Sequence, residues 1–230
     1  MDDTPMRNVS RRIVLGSALA LGASGAGLVR PAYAAPGETG PEIAACADWG
    51  AREPKGEVQM LEWRPEKIIV HHTATANTDD YSLDRAYTLA RAMQKNQMDV
   101  RGWLDTGQHF TISRGAYVME GRHESLTALQ RGSRMVQGAH CSGQNSVAIG
   151  IENEGTYVEE EPPVEQYAAL VGLCVQICRQ YEVAAQEIYG HRDYNNTQCP
   201  GDQLYALLPR LRRDVADRVG GGPGLGRPLG

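Results

Sequence analysis

The chain has 230 residues, 41% of them hydrophobic and 22% charged, and its 28 acidic and 23 basic side chains give a net charge of −5. These proportions sit near the soluble globular average and exclude collagen-like, disordered and polytopic membrane classes. The acidic balance argues against non-specific nucleic-acid binding, which needs a basic face to neutralise phosphates.

Residues 1–34 read as an export signal, with Arg7, Arg11 and Arg12 ahead of a weakly apolar run from Ile13 to Val29 and a small-x-small ending at Ala32-Tyr33-Ala34. The run is interrupted by glycines and serines and is too weakly apolar for a membrane span. The paired arginines in VSRRIVL favour a twin-arginine signal over an ordinary secretory one, and either places the mature protein outside the bacterial cytoplasm. Cleavage before Ala35 removes four basic and two acidic residues and leaves 196 residues at −7, with no membrane attachment. Residues 35–47 are Pro/Gly/Ala-rich and read as a loose lead-in, 48–219 as one domain, and 220–230 as a disordered Gly/Pro-rich tail.

Along the domain, Lys67 to His71 (KIIVH) is a β-branched run of the kind buried in a sheet. Ser82 caps a helix to about Met98, with Leu83, Ala86, Tyr87, Ala90 and Met93 on its inner stripe. Residues 108–119 predict two strands joined at Arg114-Gly115, and Val147 to Ile151 another buried strand. Pro162-Pro163 opens a helix to about Tyr181, with Tyr167, Leu170, Val171, Cys174 and Cys178 inward and Glu159–Glu161 favourably placed at its N-terminus. A third helix is expected from about Gly201 to Val219. The order is α/β.

Five cysteines in an oxidising compartment leave one unpaired. Cys174 and Cys178 share a helix face and are poorly placed to bridge each other, so each is read as a partner for Cys46 or Cys141, or as a small core residue. One disulfide is expected rather than two, and four cysteines allow three pairings. The fifth, Cys199, stands eight residues after His191 in HRDYNNTQCPG, and His71-His72 ends the KIIVH run. Imidazole and thiolate are donors that zinc prefers, and three protein ligands leave a position open. A strand-end His with a His and a Cys delivered by one loop suits such a site.

The motifs IIVHHTA, RGWLDTGQHF, QGAHCSGQNSVAIGIENEG and GHRDYNNTQCPG, in that order between Trp49 and Arg213, resemble the type-2 N-acetylmuramoyl-L-alanine amidases, a family that includes the peptidoglycan recognition proteins. The resemblance implies a central mixed β-sheet flanked by helices, Zn2+ in an open groove, and cleavage of the amide between N-acetylmuramic acid and L-alanine in peptidoglycan or muropeptides. It implies His71, His191 and Cys199 as zinc ligands, with His72 left out of the set. It gives Thr197 a part in stabilising the reacting centre and places His140 and Asn145 along the muropeptide groove. Many relatives carry a tyrosine after the glycine of GW-x-D-x-G, where this chain has Gln108, a groove residue that cannot exchange a proton by changing charge. Glu152 instead matches the glutamate that muropeptide-recycling relatives use as general base, with Glu154 as a second candidate and Asp193 as a possible partner for a ligand histidine. Two rival readings are a recognition module that binds the wall without cutting it, supported by Gln108, and a cysteine hydrolase using Cys141 beside His140. His109 and His123 read as ordinary strand and loop histidines.

Overall fold

The computed structural model describes residues 40–221, so the export segment, most of the lead-in and the tail beyond Gly221 lie outside the described residues. In chain order the strands and helices are β1 (Ile43–Ala44), β2 (Met60–Leu61), β3 (Lys67–His72), α1 (Leu83–Lys95), β4 (Phe110–Ile112), β5 (Val118–Glu120), α2 (Ser125–Arg131), β6 (Met135–Val136), β7 (Ala148–Asn153), α3 (Val164–Tyr181), β8 (Ile188–Gly190), α4 (Asp202–Ala206) and α5 (Leu208–Gly220). The main sheet runs β1-β5-β4-β7-β3-β8, and β2 with β6 forms a separate antiparallel pair. Within the main sheet only β4 and β5 pair antiparallel, so the sheet is mixed and flanked by helices, as expected.

Successive side chains of a strand point to opposite faces, and the sequence assigns those faces cleanly. Ile68 and Val70 of β3, Ile149 and Ile151 of β7, Phe110 and Ile112 of β4, Val118 of β5 and Ile188 of β8 all belong to one apolar cluster. That cluster packs on α3 and α5 through Leu170, Leu173, Cys174, Ile177, Leu211 and Val215. The intervening positions, His71, Glu152, Thr111 and Met119, share the other face, because the register pairs His71 with Glu152, Glu152 with Thr111 and Thr111 with Met119. On that face α1 contributes Ala86 and Ala90 to a smaller cluster with Trp49, Cys46 and Met119. One face is therefore core, and the other carries His71, Glu152 and Thr111.

Several expectations are corrected. Ile43–Ala44 is not loose: it pairs in parallel with Val118–Met119 and completes the sheet edge. α1 ends at Lys95 and continues as a wide π-type turn, Asn96–Val100, and its inner residues are Ala86, Leu89, Ala90 and Gln94, while Leu83 is exposed at the first turn. The last helix breaks at Leu207, and Pro209 opens α5 in its first turn, where its missing N–H costs least. α2 and β8 carry too little periodicity to have been expected. All five cysteines are free thiols, which overturns the expected disulfide. The sheet explains this: Cys174 and Cys178 lie in the α3 core on one face, whereas Cys46 and Cys141 belong to clusters on the other. Among the described residues no helix is long and apolar enough to cross a membrane.

Glu154, just beyond β7, fastens this arrangement. It is fully buried, accepts from Arg85 Nε of α1 at 2.8 Å and from the Arg114 backbone N–H at 2.9 Å, and pairs with Arg85 Nη2 at 2.8 Å. These bonds use both its oxygens on scaffold, so its place is structural. Truncating one partner of a buried ion pair leaves the other uncompensated, at a cost of about 3–5 kcal/mol. Glu154→Ala is expected to lose stability on that scale in urea denaturation; a loss below about 1 kcal/mol would show that Arg85 and the Arg114 amide are satisfied without it.

Candidate metal and catalytic site

Three of the residues singled out in the sequence meet at the C-terminal end of the parallel strands. His71 stands near the end of β3. His191 opens a short 3-10 turn directly after β8, the neighbour of β3, and the chain then loops back through Cys199. One ligand-type atom from each of His71, His191 and Cys199 lies within 4.8 Å of the others. The Cys199 sulfur is 3.6 Å from His71 Nδ1 and accepts the His72 backbone N–H at 3.4 Å. Thr197 Oγ1 accepts the Cys199 backbone N–H at 3.1 Å, so the threonine holds the turn that aims the sulfur and keeps its own proton free to donate. His72 points the other way: its Nδ1 accepts the Tyr157 N–H at 3.2 Å, which makes it a brace for the loop after β7.

Behind the three lies a bank of histidines. His71 Nε2 is 3.0 Å from His140 Nδ1, and His140 Nε2 is 3.2 Å from the Ala148 carbonyl. The His140 ring lies against Gly150, where a Cβ would meet the ring at 2.5 Å, so a glycine in β7 is what makes room for it. His109 bonds Val136 O through Nε2 and the Gly150 N–H through Nδ1, as befits a structural residue. Burial holds His71 and His140 well below the usual imidazole value and brings His109 down to about 4, so all three rings are neutral near pH 7. Burial also lowers His191, whose Nε2 sits 3.0 Å from Asn195 Oδ1. Asp193, considered as a partner for a ligand histidine, instead bonds the Gly190 N–H and the Tyr205 hydroxyl.

Glu152 shares the His71 register position and face. Its Oε2 is buried without a hydrogen-bond partner, and burial pushes the carboxyl up to about 8, with the Arg101 guanidinium opposing. Burial and the Glu152 carboxylate together push the Cys199 thiol up. Two neutral imidazoles, a thiol and a carboxyl with one partnerless oxygen therefore gather at one place. That donor set suits zinc, and the 3.6 Å between His71 Nδ1 and Cys199 Sγ is close to the roughly 3.5 Å edge that zinc's usual bond lengths give a tetrahedron.

Other predicted residues sit elsewhere. Gln108 is buried: its Nε2 donates to Thr111 Oγ1 at 3.0 Å and its Oε1 accepts from Gln97 at 3.1 Å, so its amide is spent inside the protein and lines no open groove. Asn145 Oδ1 accepts the backbone N–H of both His140 and Cys141, at 2.7 and 2.9 Å, and clamps their turn. His140 is likewise engaged through both ring nitrogens. Cys141 is buried beside Tyr194, and burial pushes its thiol up to about 11, the reverse of what a nucleophile needs. Asn195 was not foreseen, although an asparagine four residues after a loop histidine was there to be noticed.

A parallel-dominated mixed sheet thus carries, at the C-terminal ends of its strands, a His-His-Cys cluster that could hold a metal ion, with the Glu152 carboxyl beside it. The chain belongs to the N-acetylmuramoyl-L-alanine amidase family, whose model matches residues 62–202. It is 31% identical over 168 residues to the Drosophila simulans peptidoglycan-recognition protein SD, covering 72% of this chain and 83% of that one. It is also 31% identical over 192 residues to the human N-acetylmuramoyl-L-alanine amidase, covering 77% of this chain but only 31% of the longer human protein. Among solved structures, that of tracheal cytotoxin bound to the ectodomain complex of peptidoglycan recognition proteins LCa and LCx matches with a TM-score of 0.64 and 27% identity, covering 73% of this chain and 95% of that one.

The Glu152 carboxyl has a stability consequence. Between its ordinary value of 4.5 and about 8, the folded metal-free chain keeps a proton that the unfolded chain has released. Stability therefore falls as pH rises through that window. Glu152→Gln removes the dependence, so its advantage over the metal-free wild type is expected to grow from pH 5 to 8.5 in urea denaturation. An advantage that does not change with pH would mean the carboxyl titrates normally.

Proposed function

We propose that the chain is a zinc-dependent amidase that hydrolyses the bond between N-acetylmuramic acid and L-alanine in peptidoglycan or muropeptides. The observation that carries this reading is the buried, partnerless Glu152 oxygen beside the His71, His191 and Cys199 cluster. A wall-binding fold needs no such carboxylate, whereas a hydrolase needs a base there. Family membership supports the substrate class, and the tracheal cytotoxin bound by a structural relative supports binding of a muropeptide.

His71, His191 and Cys199 would hold the metal, which when bound supplies Lewis-acid activation of water and of the scissile carbonyl. Glu152, ionised beside a bound cation, takes a proton from the attacking water as the new C–O bond forms. It returns that proton to the alanine nitrogen as the C–N bond breaks. The Thr197 hydroxyl, held by its bond to the Cys199 amide, donates to the oxyanion. The export-signal pattern of residues 1–34 supports a working place outside the cytoplasm.

A recognition module that binds without cleaving is the second reading, favoured by Gln108 where many relatives carry a tyrosine. Glu152 opposes it. Incubating the zinc-loaded chain with purified peptidoglycan and following released stem peptides by mass spectrometry separates the two. Peptides with a free N-terminal alanine are expected, falling about 10²–10⁴-fold with Glu152→Ala and vanishing with chelator. Cys141→Ser is expected to keep activity. Binding to the wall without release of peptides would overturn the enzyme reading, and loss of activity in Cys141→Ser with zinc retained would revive the cysteine hydrolase.

A further inference from the structure

Both histidines of the cluster are tied through Nε2 to the same short turn, His71 directly and His191 by way of Asn195. Asn195 Nδ2 donates to the Ser142 carbonyl at 3.3 Å and to the Tyr194 carbonyl at 2.9 Å, so Asn195 Oδ1 is the acceptor in this pair of amide atoms. It receives the Cys141 thiol at 3.4 Å and lies 3.0 Å from His191 Nε2. His191 Nε2 must carry the proton, and its Nδ1 is bare. The same reasoning fixes His71. The Ala148 carbonyl can only accept, so His140 Nε2 is protonated and His140 Nδ1 accepts the proton on His71 Nε2. His71 Nδ1, the nitrogen facing Cys199, is bare as well. Asn145 in turn clamps the backbone of His140 and Cys141 through one oxygen.

We propose that the His140–Ser142 turn, acting directly on His71 and through Asn195 on His191, is the positioning element that sets both imidazoles in the Nε2–H form and so presents two Nδ1 lone pairs to the metal. This inference rests on the zinc-site reading above and gives His140, Cys141, Asn145 and Asn195 roles other than lining a substrate groove. It also gives the buried Cys141 thiol a place, since it donates to the same oxygen that orients His191. Hydrogen-bonding partners of ligand histidines typically contribute 10–100-fold in metal affinity.

The test uses the full chain labelled with 15N-histidine. In the metal-free protein, two-bond 1H–15N correlations report which ring nitrogen of His71 and His191 carries hydrogen, and zinc affinity is read by competition with a chelator at fixed pH. In the wild type both rings are expected as Nε2–H. His140→Ala is expected to mix the two forms at His71, and Asn195→Leu to mix them at His191, each weakening zinc binding about 10–100-fold. Asn195→Asp keeps an acceptor oxygen and is expected to restore the His191 form and the affinity, which a purely structural role for Asn195 would not produce. If His140→Ala does not fold, the Asn195 pair decides. Wild-type rings protonated at Nδ1, or unchanged ring forms and affinity in Asn195→Leu, would overturn the proposal. A wild type that fails to bind zinc would sink the zinc reading instead, and the ring forms in the metal-free protein would still judge the turn.

Discussion

The parallel pairing of β3 with β7 sets His71 directly beside Glu152, and the rest of the site is arranged around that register. It is held from the opposite face. Ile68, Val70, Ile149 and Ile151 are essentially inaccessible against α3 and α5, and each such side chain contributes about 1.5–3 kcal/mol of burial. A slip of β3 by one residue would turn Ile68 and Val70 toward the polar face and carry His71 into the core, so the apolar face specifies where the histidine stands. β8 extends the same logic on the other side of β3. Its pairing with Ile68–Val70 delivers His191 to the end of the strand that carries His71.

The polar face is costly as it stands. It gathers neutral imidazoles, a raised thiol and a carboxyl without a partner, all shifted chiefly by burial. Groups in that condition are stabilised by a cation more than by further hydrogen bonds. Hydrogen bonds exist as well: His140 and Asn195 bond His71 and His191 through Nε2, and Thr197 holds the Cys199 amide. The glycine at position 150 belongs to the same design, since any side chain there would displace the His140 ring.

The core strands were legible because β-branched runs bounded by polar residues have few alternatives, and the alternation in KIIVHH already separates His71 from His72. That His71, His191 and Cys199 come together was legible from residue type and motif order. What stayed hidden depends on contacts distant in sequence. Gln108 reads as a groove residue until Gln97 and Thr111 are seen to consume its amide. The sequence does not show that the Asn145 side chain clamps the His140 and Cys141 amides or that the His140 ring bonds His71. The cysteines suggested a bridge because spacing cannot show that a sheet separates them. β8 was missed because three residues carry no period, and Asp193 was considered for a role that Asn195 fills.

The claim at the centre of this account is that one zinc ion is held by two imidazoles and one thiolate at the edge of β3. X-ray absorption at the zinc edge of the loaded full chain, with Cys199→Ser alongside, tests it most directly. The account predicts one zinc per chain with a single sulfur and two imidazole nitrogens among its neighbours, and loss of the sulfur signal in Cys199→Ser. Zinc bound without sulfur, or an unchanged sulfur signal in Cys199→Ser, would contradict it.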